Sequence, residues 1–349
     1  MPTVPAYAAL RSSAPLTPFL VPRREVGPRD VLIDIAFCGI CHSDIHQVRD
    51  EWGGAAFPMV PGHEVVGRVG RVGGEVTRFR TGDVAGVGCY VDSCRTCAPC
   101  RRGLEQFCER GTAFTYNSTE MDRKTPTYGG YSTQIVVDEA YALKVPAQLD
   151  LAGAAPLMCA GITTYAPLRR FEVRKGSRVG VVGLGGLGHM AVKIAAALGA
   201  EVTMLSTSRS KERDARRLGA QAFVLTTDAG ALEHLRGTFD VIIDTVSASH
   251  AIEPYLRALR VEGAMAVVGL PPSAVPIPFS GLVQGNKILA GSMIGGIAQT
   301  QEMLEFCGKH GIVSDVEVVP AQRIDEAYLC TVRNEVRYRF VIDTATIRP

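Results

Sequence analysis

Residues 178–189 read Arg-Val-Gly-Val-Val-Gly-Leu-Gly-Gly-Leu-Gly-His, a short apolar run that passes directly into a glycine-rich turn. Gly183, Gly185 and Gly188 have G-x-G-x-x-G spacing, with Gly186 and Leu187 between the last two. Two of the glycines let the backbone approach a pyrophosphate at a helix N-terminus, and the third lets the helix pack closely on the strand. Because residues 187–198 follow with helical spacing, the stretch predicts a dinucleotide-binding turn rather than a simple packing turn.

Strand-like and helix-like segments continue to alternate after this turn. We predict strands over 201–206, 221–225, 240–246, 264–270 and 287–294, and helices over 211–218 and 252–259. Repeated strand–helix units form a parallel sheet that is covered by helices on both faces. The expected fold class is therefore α/β, with a Rossmann doubly wound sheet in this part of the chain.

The length, charge and apolar segments of the chain limit the class of protein it can be. A chain of 349 residues is expected to form two domains. Its net charge of +2 gives no electrostatic reason to expect a nucleic acid or an anionic membrane as partner. The longest uncharged apolar run, 179–192, is too short to cross a bilayer, and no export signal is recognised. We expect a soluble, cytoplasmic protein.

Four of the ten cysteines lie within one short loop, at Cys94, Cys97, Cys100 and Cys108. In a chain without an export signal, reduced thiols acting as metal ligands are a better interpretation than disulfides. An iron–sulfur cluster is the alternative, but the last gap is longer than in the bacterial ferredoxin pattern and no proline follows Cys108. We therefore predict a structural zinc, whose four thiolate ligands leave no coordination position for catalysis.

Three further stretches carry a family resemblance: Cys-Gly-Ile-Cys-His-Ser-Asp-Ile-His at 38–46, Pro-Gly-His-Glu at 61–64 and Leu-Met-Cys-Ala-Gly-Ile-Thr-Thr-Tyr at 157–165. Together they resemble the zinc-dependent medium-chain alcohol dehydrogenases. The resemblance implies a catalytic zinc held by Cys41, His63 and Cys159, with a fourth position open to water or substrate. It also implies that Glu64 approaches the metal during ligand exchange and that Asp44 orients the His63 ring. The remaining cysteines are assigned to the core: Cys38, Cys89, Cys307 and Cys330.

The end of the second Rossmann strand indicates which dinucleotide binds. An NAD-binding unit usually has Asp or Glu here, but this chain has Ser206. The following residues offer hydroxyl groups and cations to a 2′-phosphate, and each such contact contributes about 1.5–3 kcal/mol. These residues are Ser206, Thr207, Ser208, Arg209 and Lys211. They predict NADP(H), although a solvated basic start to the next helix is the alternative.

More motifs narrow the resemblance to the cinnamyl alcohol dehydrogenase branch and its broad-specificity aldehyde reductases. They include 114–117, 128–131, 206–208, 244–248, 291–296 and 336–343, so the similarity covers nearly the whole chain. The resemblance implies reversible aldehyde reduction by hydride transfer, with Thr163 against the nicotinamide. It implies Ser43 as the first proton-relay group, with the proton passing by way of the nicotinamide ribose to His46, because histidine changes protonation near neutral pH.

The same resemblance implies the domain organisation and the substrate pocket. A GroES-like, mostly β, zinc-bearing domain is expected over 1–157 and 293–349, with the Rossmann domain over 158–292. The last Rossmann strand is expected to pair across a homodimer. Trp52, Phe114 and Met293 are expected to line a pocket for benzyl, cinnamyl or medium-chain aldehydes, although each could equally be an ordinary core residue.

Several alternatives remain open at this point. An NAD-dependent alcohol or polyol dehydrogenase would carry an acidic residue at position 206, and a zinc-free quinone reductase would lack Cys41, Cys159 and the four-cysteine loop. A zinc-ribbon module for nucleic acid or protein would not need the glycine turn. A catalytically silent zinc scaffold is the non-enzyme alternative. We predict two zinc ions per chain, NADP(H) and an aldehyde or alcohol substrate.

Overall fold

The computed structural model describes residues 2–271 and 273–348. Its strands are β1 Thr3–Ala8, β2 Thr17–Pro22, β3 Asp30–Gly39, β4 Val65–Val72, β5 Val84–Val87, β6 Tyr90–Asp92, β7 Ala113–Phe114, β8 Gln134–Asp138, β9 Leu143–Lys144, β10 Arg178–Val182, β11 Glu201–Ser206, β12 Ala222–Leu225, β13 Phe239–Asp244, β14 Leu259–Val267, β15 Ile288–Gly291, β16 Val316–Pro320 and β17 Arg339–Asp343. Its α-helices are α1 His42–Val48, α2 Ala98–Arg101, α3 Leu151–Ala154, α4 Ala160–Arg170, α5 Gly188–Ala197, α6 Glu212–Leu218, α7 Glu253–Ala258, α8 Phe279–Val283, α9 Ile297–His310 and α10 Ile324–Val332. Short 3₁₀ turns lie at Glu105–Phe107, Ala155–Met158, Arg209–Lys211, Glu233–Leu235, Ala321–Arg323 and Thr344–Thr346.

The chain divides into two compact units. The first comprises the described residues of Met1–Cys159 and Gly295–Pro349, and the second comprises Ala160–Ile294. Each unit is built around its own sheet, as the length of the chain leads one to expect.

The second unit contains a six-stranded parallel sheet with the order β12-β11-β10-β13-β14-β15. This order is that of a doubly wound dinucleotide-binding sheet, with β10 at the point where the strand order reverses. The central strands read as continuous branched apolar runs, because both faces of the sheet are covered. Val179, Val181, Ile242 and Ile243 accordingly have no exposed surface.

The first unit contains a seven-stranded mixed sheet with the order β16-β17-β3-β4-β5-β9, in which β8 also pairs with β3. Strand β3 is the organising element, since it pairs antiparallel with β4, β8 and β17. Two smaller antiparallel ribbons, β1 with β2 and β6 with β7, complete its strands. The mostly β character of this unit confirms the expected fold class.

The predicted elements of the second unit are confirmed, with differences at their ends. Strand β11 has the predicted bounds, and β13 begins one residue early and ends two residues early. Strand β14 starts at Leu259, five residues before the prediction, because the chain passes directly from α7 into the sheet. Strand β15 is only Ile288–Gly291, shorter than the predicted 287–294.

No single helix among the described residues is long and apolar enough to span a membrane. Within the same residues, only Leu151–Met158 together with Ala160–Arg170 has the length and composition of a span, and these two segments form a bent pair.

Candidate metal centre and cofactor site

The four cysteines of the loop converge. The sulfur atoms of Cys94, Cys97, Cys100 and Cys108 all lie within 4.8 Å of one another. The Sγ atoms of Cys94 and Cys100 are 3.9 Å apart, close to the roughly 3.8 Å expected between ligands of a tetrahedral ion with Zn–S bonds of about 2.3 Å. An all-thiolate set of this size fits zinc.

Backbone N–H groups in this loop donate hydrogen bonds to cysteine sulfurs, which favours the thiolate form. Cys94 Sγ accepts from the N–H of Cys97 at 3.3 Å, and Cys108 Sγ accepts from the N–H of Cys94 at 3.3 Å. The N–H groups of Thr96 and Cys97 lower the pKa of the Cys94 thiol to about 5, whereas burial raises the pKa of Cys100 to about 12. The loop therefore presents both an ionised thiol and a buried thiol that a metal would ionise.

A second cluster brings together residues that are far apart in the sequence. Ligand atoms of Cys41, His63, Glu64 and Cys159 lie within 4.8 Å of one another, and all four residues are buried. Antiparallel pairing sets this geometry, because Cys38 on β3 faces Val65 on β4. Cys41 follows β3 and His63 precedes β4, so both lie at the same end of the sheet.

Asp44 organises this second cluster. This completely buried carboxylate accepts from the backbone N–H of Cys41 at 2.8 Å and of Gly62 at 3.1 Å, and it also contacts the Tyr131 hydroxyl. His63 Nδ1 lies 3.1 Å from the same carboxylate. In this hydrogen-bond network Nδ1 carries the proton, so Nε2 has its lone pair free for a metal.

Glu64 is a buried carboxylate with few polar neighbours. Neither of its oxygens has a hydrogen-bond partner among the described residues, and its closest cation is Arg339 Nη1, 3.4 Å from Oε1. Burial raises the pKa of Glu64 to about 8, and Arg339 opposes that shift. Space for the carboxylate exists only because residue 39 is glycine, since a Cβ there would lie 2.0 Å from Glu64 Oε2.

The chemistry of the donors supports a metal at this second cluster. Two thiols and an imidazole form the Cys₂His set of open catalytic zinc sites, and beside them stands the Glu64 carboxylate, which accepts no hydrogen bond within the described residues. A hydrogen bond with Cys159 lowers the pKa of Cys41 well below its ordinary value. One thiol of the pair is therefore readily ionised.

The sequence reasoning missed two residues beside this cluster. Cys89, assigned to the core, is only partly buried and forms a side-chain hydrogen bond with Cys159. Arg339, which the tail motif included without a role, lies buried against Glu64 and donates to the Ile40 carbonyl at 3.1 Å. No local signal reveals either contact, because each joins residues that are far apart in the sequence. The core assignment is also wrong for Cys330, which is partly exposed, but right for Cys38 and Cys307.

The residues expected to relay a proton lie on α1. Ser43 Oγ is 3.7 Å from Cys41 Sγ and half-buried. His46, one turn later, pairs through Nδ1 with Glu51 and stacks on Trp52 with ring centroids 5.0 Å apart. The helix therefore leads from the metal cluster towards solvent.

The predicted pocket residues are all partly exposed. The solvent-exposed fraction of the residue is 47% for Trp52, 40% for Phe114 on β7 and 43% for Met293, just after β15. These values argue against the alternative that the three are ordinary core residues.

The glycine turn has the geometry that a dinucleotide requires. Gly183 has φ +85°, and a Cβ on Gly188 would lie 1.9 Å from the Gly183 carbonyl oxygen, so glycine is needed at both positions. A Cβ on Gly185 would meet no described atom within 4 Å. The turn is thus closely packed on one side and open on the other, beside the N-terminus of α5.

The loop after β11 carries hydroxyls and cations. Ser206 is buried and its Oγ accepts from the Ser208 N–H at 3.2 Å, whereas Thr207 and Arg209 are exposed. Arg209 also lies 3.3 Å from Asp228 and 3.8 Å from Glu212. Its charge is therefore partly compensated. Thr163 is buried on α4.

Comparison with known proteins agrees with this architecture. The alcohol dehydrogenase GroES-like domain model matches residues 27–147, and the zinc-binding dehydrogenase model matches residues 186–309. NADP-dependent alcohol dehydrogenase C 1 of Mycolicibacterium smegmatis is 52% identical over 349 residues, covering 100% of both chains. Aldehyde reductase YahK of Escherichia coli is 49% identical over 347 residues, covering 99% of each.

Solved structures give the same result. A cinnamyl alcohol dehydrogenase of Sorghum bicolor has a TM-score of 0.96 and 45% identity, covering 99% of each chain. A cinnamyl alcohol dehydrogenase of Helicobacter pylori, complexed with NADP(H), has a TM-score of 0.92 and 41% identity at the same coverage. The chain belongs to the zinc-dependent medium-chain alcohol dehydrogenases. Within them it falls in the cinnamyl alcohol dehydrogenase-like branch.

Proposed function

We propose that this protein interconverts aldehydes and primary alcohols by hydride transfer with NADP(H), in a zinc-dependent reaction. The observation that carries the proposal is the buried cluster of Cys41, His63 and Cys159, with Asp44 holding the histidine ring. It occurs in a chain that is about half identical over its full length to an NADP-dependent alcohol dehydrogenase. We expect benzyl, cinnamyl or medium-chain aliphatic aldehydes as substrates.

We propose Cys41 Sγ, His63 Nε2 and Cys159 Sγ as the ligands of a catalytic zinc. When bound, zinc supplies a Lewis acid that polarises the carbonyl oxygen. The Asp44 carboxylate keeps the proton on His63 Nδ1, and burial of the donors excludes bulk water. Glu64, held by Arg339, offers a carboxylate that approaches the metal when a ligand leaves.

The alcohol oxygen requires a proton when hydride reduces an aldehyde. We propose that the Ser43 hydroxyl donates it, since Ser43 Oγ lies beside the ligand sulfur of Cys41. His46, at the half-exposed end of α1, collects the replacement proton from solvent. Its contact with Glu51 holds the ring in place.

We propose a structural zinc on Cys94, Cys97, Cys100 and Cys108, which brings the total to two zinc ions per chain. The inter-sulfur distances and the N–H···S contacts support this assignment. With four thiolates the site is closed, so its contribution is to stability.

For the dinucleotide, we propose that Gly183, Gly185 and Gly188 receive the pyrophosphate at the start of α5. Gly186 and Leu187 continue that turn, and Thr163 contacts the nicotinamide. The 2′-phosphate is assigned to the loop after β11. Its partners there are Ser206, Thr207, Ser208, Arg209 and Lys211.

We also propose a role for each unit, a substrate pocket and an oligomeric state. We propose the first unit as the catalytic domain and the second as the cofactor domain, with Trp52, Phe114 and Met293 lining the substrate pocket. Strand β15 pairs only with β14 within the described sheet, and Ile288 on it is exposed. This free edge supports a homodimer in which β15 pairs with its counterpart. A cytoplasmic location remains a prediction.

The test is turnover of cinnamaldehyde with NADPH and, in parallel, NADH, on protein whose zinc content is assayed. We expect NADPH-dependent reduction that is lost in Cys159→Ala and retained in Cys330→Ala, since Cys330 lies away from both cysteine clusters. Preference for NADH would refute the cofactor assignment alone. Absence of turnover with several aldehydes, in fully metallated protein, would refute the proposed function.

A further inference from the structure

The second unit contains a completely buried histidine, His189, next to the glycine turn. It is the second residue of α5, and the three residues that follow it on the helix, Met190, Ala191 and Val192, are apolar and also have no exposed surface. Burying a polar ring costs free energy unless the ring forms hydrogen bonds. A histidine at this position therefore needs a specific partner.

The partner of the His189 ring is the carbonyl oxygen of Gly185, the middle glycine of the turn. His189 Nδ1 lies 3.2 Å from this oxygen, and the backbone N–H of His189 donates to the same oxygen at 3.0 Å. A carbonyl oxygen only accepts, so Nδ1 carries the proton and donates. One buried residue thus supplies two donors to the Gly185 carbonyl.

The strand side of the turn is held by other groups. The N–H of Gly183 donates to the Leu205 carbonyl at 2.9 Å. The Thr245 hydroxyl lies 2.8 Å from the Val182 carbonyl and 3.1 Å from the Gly183 carbonyl. These contacts restrain the turn as far as Gly183, and the His189 ring restrains it two residues later, where the chain enters α5.

Restraint of the Gly185 carbonyl also orients the N–H group of Gly186. Both groups belong to one planar trans peptide, in which they point in opposite directions. While the carbonyl faces the buried ring, the Gly186 N–H faces away from it, and both glycines are partly exposed. Glycine has the greatest backbone freedom of any residue, so an unrestrained turn would lose more entropy when it orders around a ligand.

We propose that His189 is a positioning residue for the dinucleotide. By holding the Gly185 carbonyl, it keeps the Gly186 N–H directed to the pyrophosphate before the cofactor binds. This inference rests on the proposed function, because it requires a dinucleotide at the turn. The ring has no exposed surface, so it acts through the backbone and not by contact with the cofactor. NADPH and NADH share the pyrophosphate, so the effect is the same for both.

Titration of nicotinamide fluorescence on the full chain measures the Kd for NADPH and for NADH. His189→Leu keeps a similar side-chain volume but has no donor, whereas His189→Asn places an amide N–H where Nδ1 lies. We expect the Kd for each dinucleotide to rise about tenfold in His189→Leu, the effect of losing one hydrogen bond, and to recover in His189→Asn. The control is Met190→Leu, a volume-conserving change at the next buried position, which should bind as the unaltered chain does.

Steady-state kinetics supplies a second measurement, which general damage to the fold would not reproduce. In His189→Leu the KM for NADPH should rise, while kcat at saturating NADPH should not change, because the ring does not touch the reacting atoms. Three results would each overturn the proposal: an unchanged Kd in His189→Leu, an equal loss of affinity in His189→Asn, or a lower kcat with an unchanged KM.

Failure of the proposed function would have a different signature. An unaltered chain that binds dinucleotide but reduces no aldehyde would refute the proposed function, and the Kd values of the two His189 variants would still decide the role of this residue. An unaltered chain that binds neither dinucleotide would overturn the function and this inference together.

Discussion

The Asp44 carboxylate accepts from the backbone N–H of Cys41 and lies 3.1 Å from His63 Nδ1, so one buried side chain positions two proposed metal ligands. The backbone N–H of Gly62 also donates to it, and two tyrosines lie close by. Tyr116 stacks on His63 with ring centroids 5.8 Å apart, and Tyr131 donates to Asp44 at 3.3 Å. The carboxylate is thus an element of the metal centre that binds no metal itself.

Replacing Asp44 by Asn should therefore loosen the catalytic metal. The amide has one acceptor oxygen, so it cannot accept from both the Cys41 N–H and His63 Nδ1 as the carboxylate does. Loss of a hydrogen-bond partner of a metal ligand typically costs 10- to 100-fold in metal affinity. Competition of the purified protein with a zinc chelator measures this change. Asp34→Asn, an exposed carboxylate on β3, serves as the control and should retain the ordinary affinity. Equal retention of zinc by both variants would contradict the role of Asp44.

Gly39→Ala should disturb the same centre by steric pressure. The added Cβ would lie 2.0 Å from Glu64 Oε2, so the carboxylate must move from its contact with Arg339. We expect lower aldehyde reduction and a lower melting temperature. Gly74→Ala is the matched control, because its Cβ would meet no atom of residues 2–271 and 273–348 within 4 Å. Normal behaviour of Gly39→Ala would show that Glu64 does not occupy this position.

Cys94→Ser should remove the proposed structural zinc alone. The loop would lose the thiol whose pKa is lowered to about 5, and three remaining sulfurs hold zinc less tightly. The zinc content should fall from two ions per chain to one, with a lower melting temperature. Cys330→Ser should keep both ions. Loss of both ions from Cys94→Ser in folded protein would argue against two independent sites.

Cofactor preference should depend on the loop after β11. Ser206→Asp places a carboxylate where a 2′-phosphate is proposed to bind, and we expect kcat/KM with NADPH to fall by about 10- to 100-fold. Arg209→Ala should have a smaller effect in the same direction, since Asp228 and Glu212 already compensate its charge. Arg213→Ala, an exposed cation on α6, is the control. Unchanged NADPH kinetics in Ser206→Asp would refute the assignment.

The stability of the second unit should include a small pH-dependent contribution from His250. Its Nε2 lies 3.2 Å from Asp244, and this contact raises the pKa of His250. Its Nδ1 donates to the Ala248 carbonyl, and Tyr255 packs edge-on against the ring. The contribution is complete below the unfolded pKa of about 6.5 and is lost as pH rises through the higher folded value.

Because the His250 side chain is partly exposed, we expect a contribution of less than about 1 kcal/mol. Urea unfolding of cofactor-free protein, on either side of neutral pH, should show it in the unaltered chain but not in His250→Asn. The exposed His234→Asn should retain it. The opposite slope with pH would contradict the pairing with Asp244.

Sequence reasoning succeeded where the chemistry is local. The glycine turn and its flanking strand and helix were predicted because Gly183 and Gly188 must be glycine for steric reasons within six residues. The four-cysteine loop was predicted because all its ligands come from one short segment. Element ends were less accurate, as with β14, since tertiary pairing decides how far a strand extends.

The second metal cluster was expected only through family resemblance. No spacing rule brings Cys41, His63 and Cys159 together, and local patterns say nothing about Cys89 or Arg339. Pairing of β3 with β4 sets Cys41 beside His63. Pairing of β17 with β3 places Ile342 opposite Cys38, and Arg339, at the start of β17, thereby comes close to the cluster.

The sequence by itself determined the dinucleotide turn, the four-thiol loop and the absence of acid at position 206. These features depend on backbone sterics and on neighbours within a few residues. Only the tertiary structure decided the Asp44-centred metal cluster and the pairing of Glu64 with Arg339. The physical reason is that each of these requires groups from distant strands, whose register is set by the burial of whole sheet faces rather than by any local pattern.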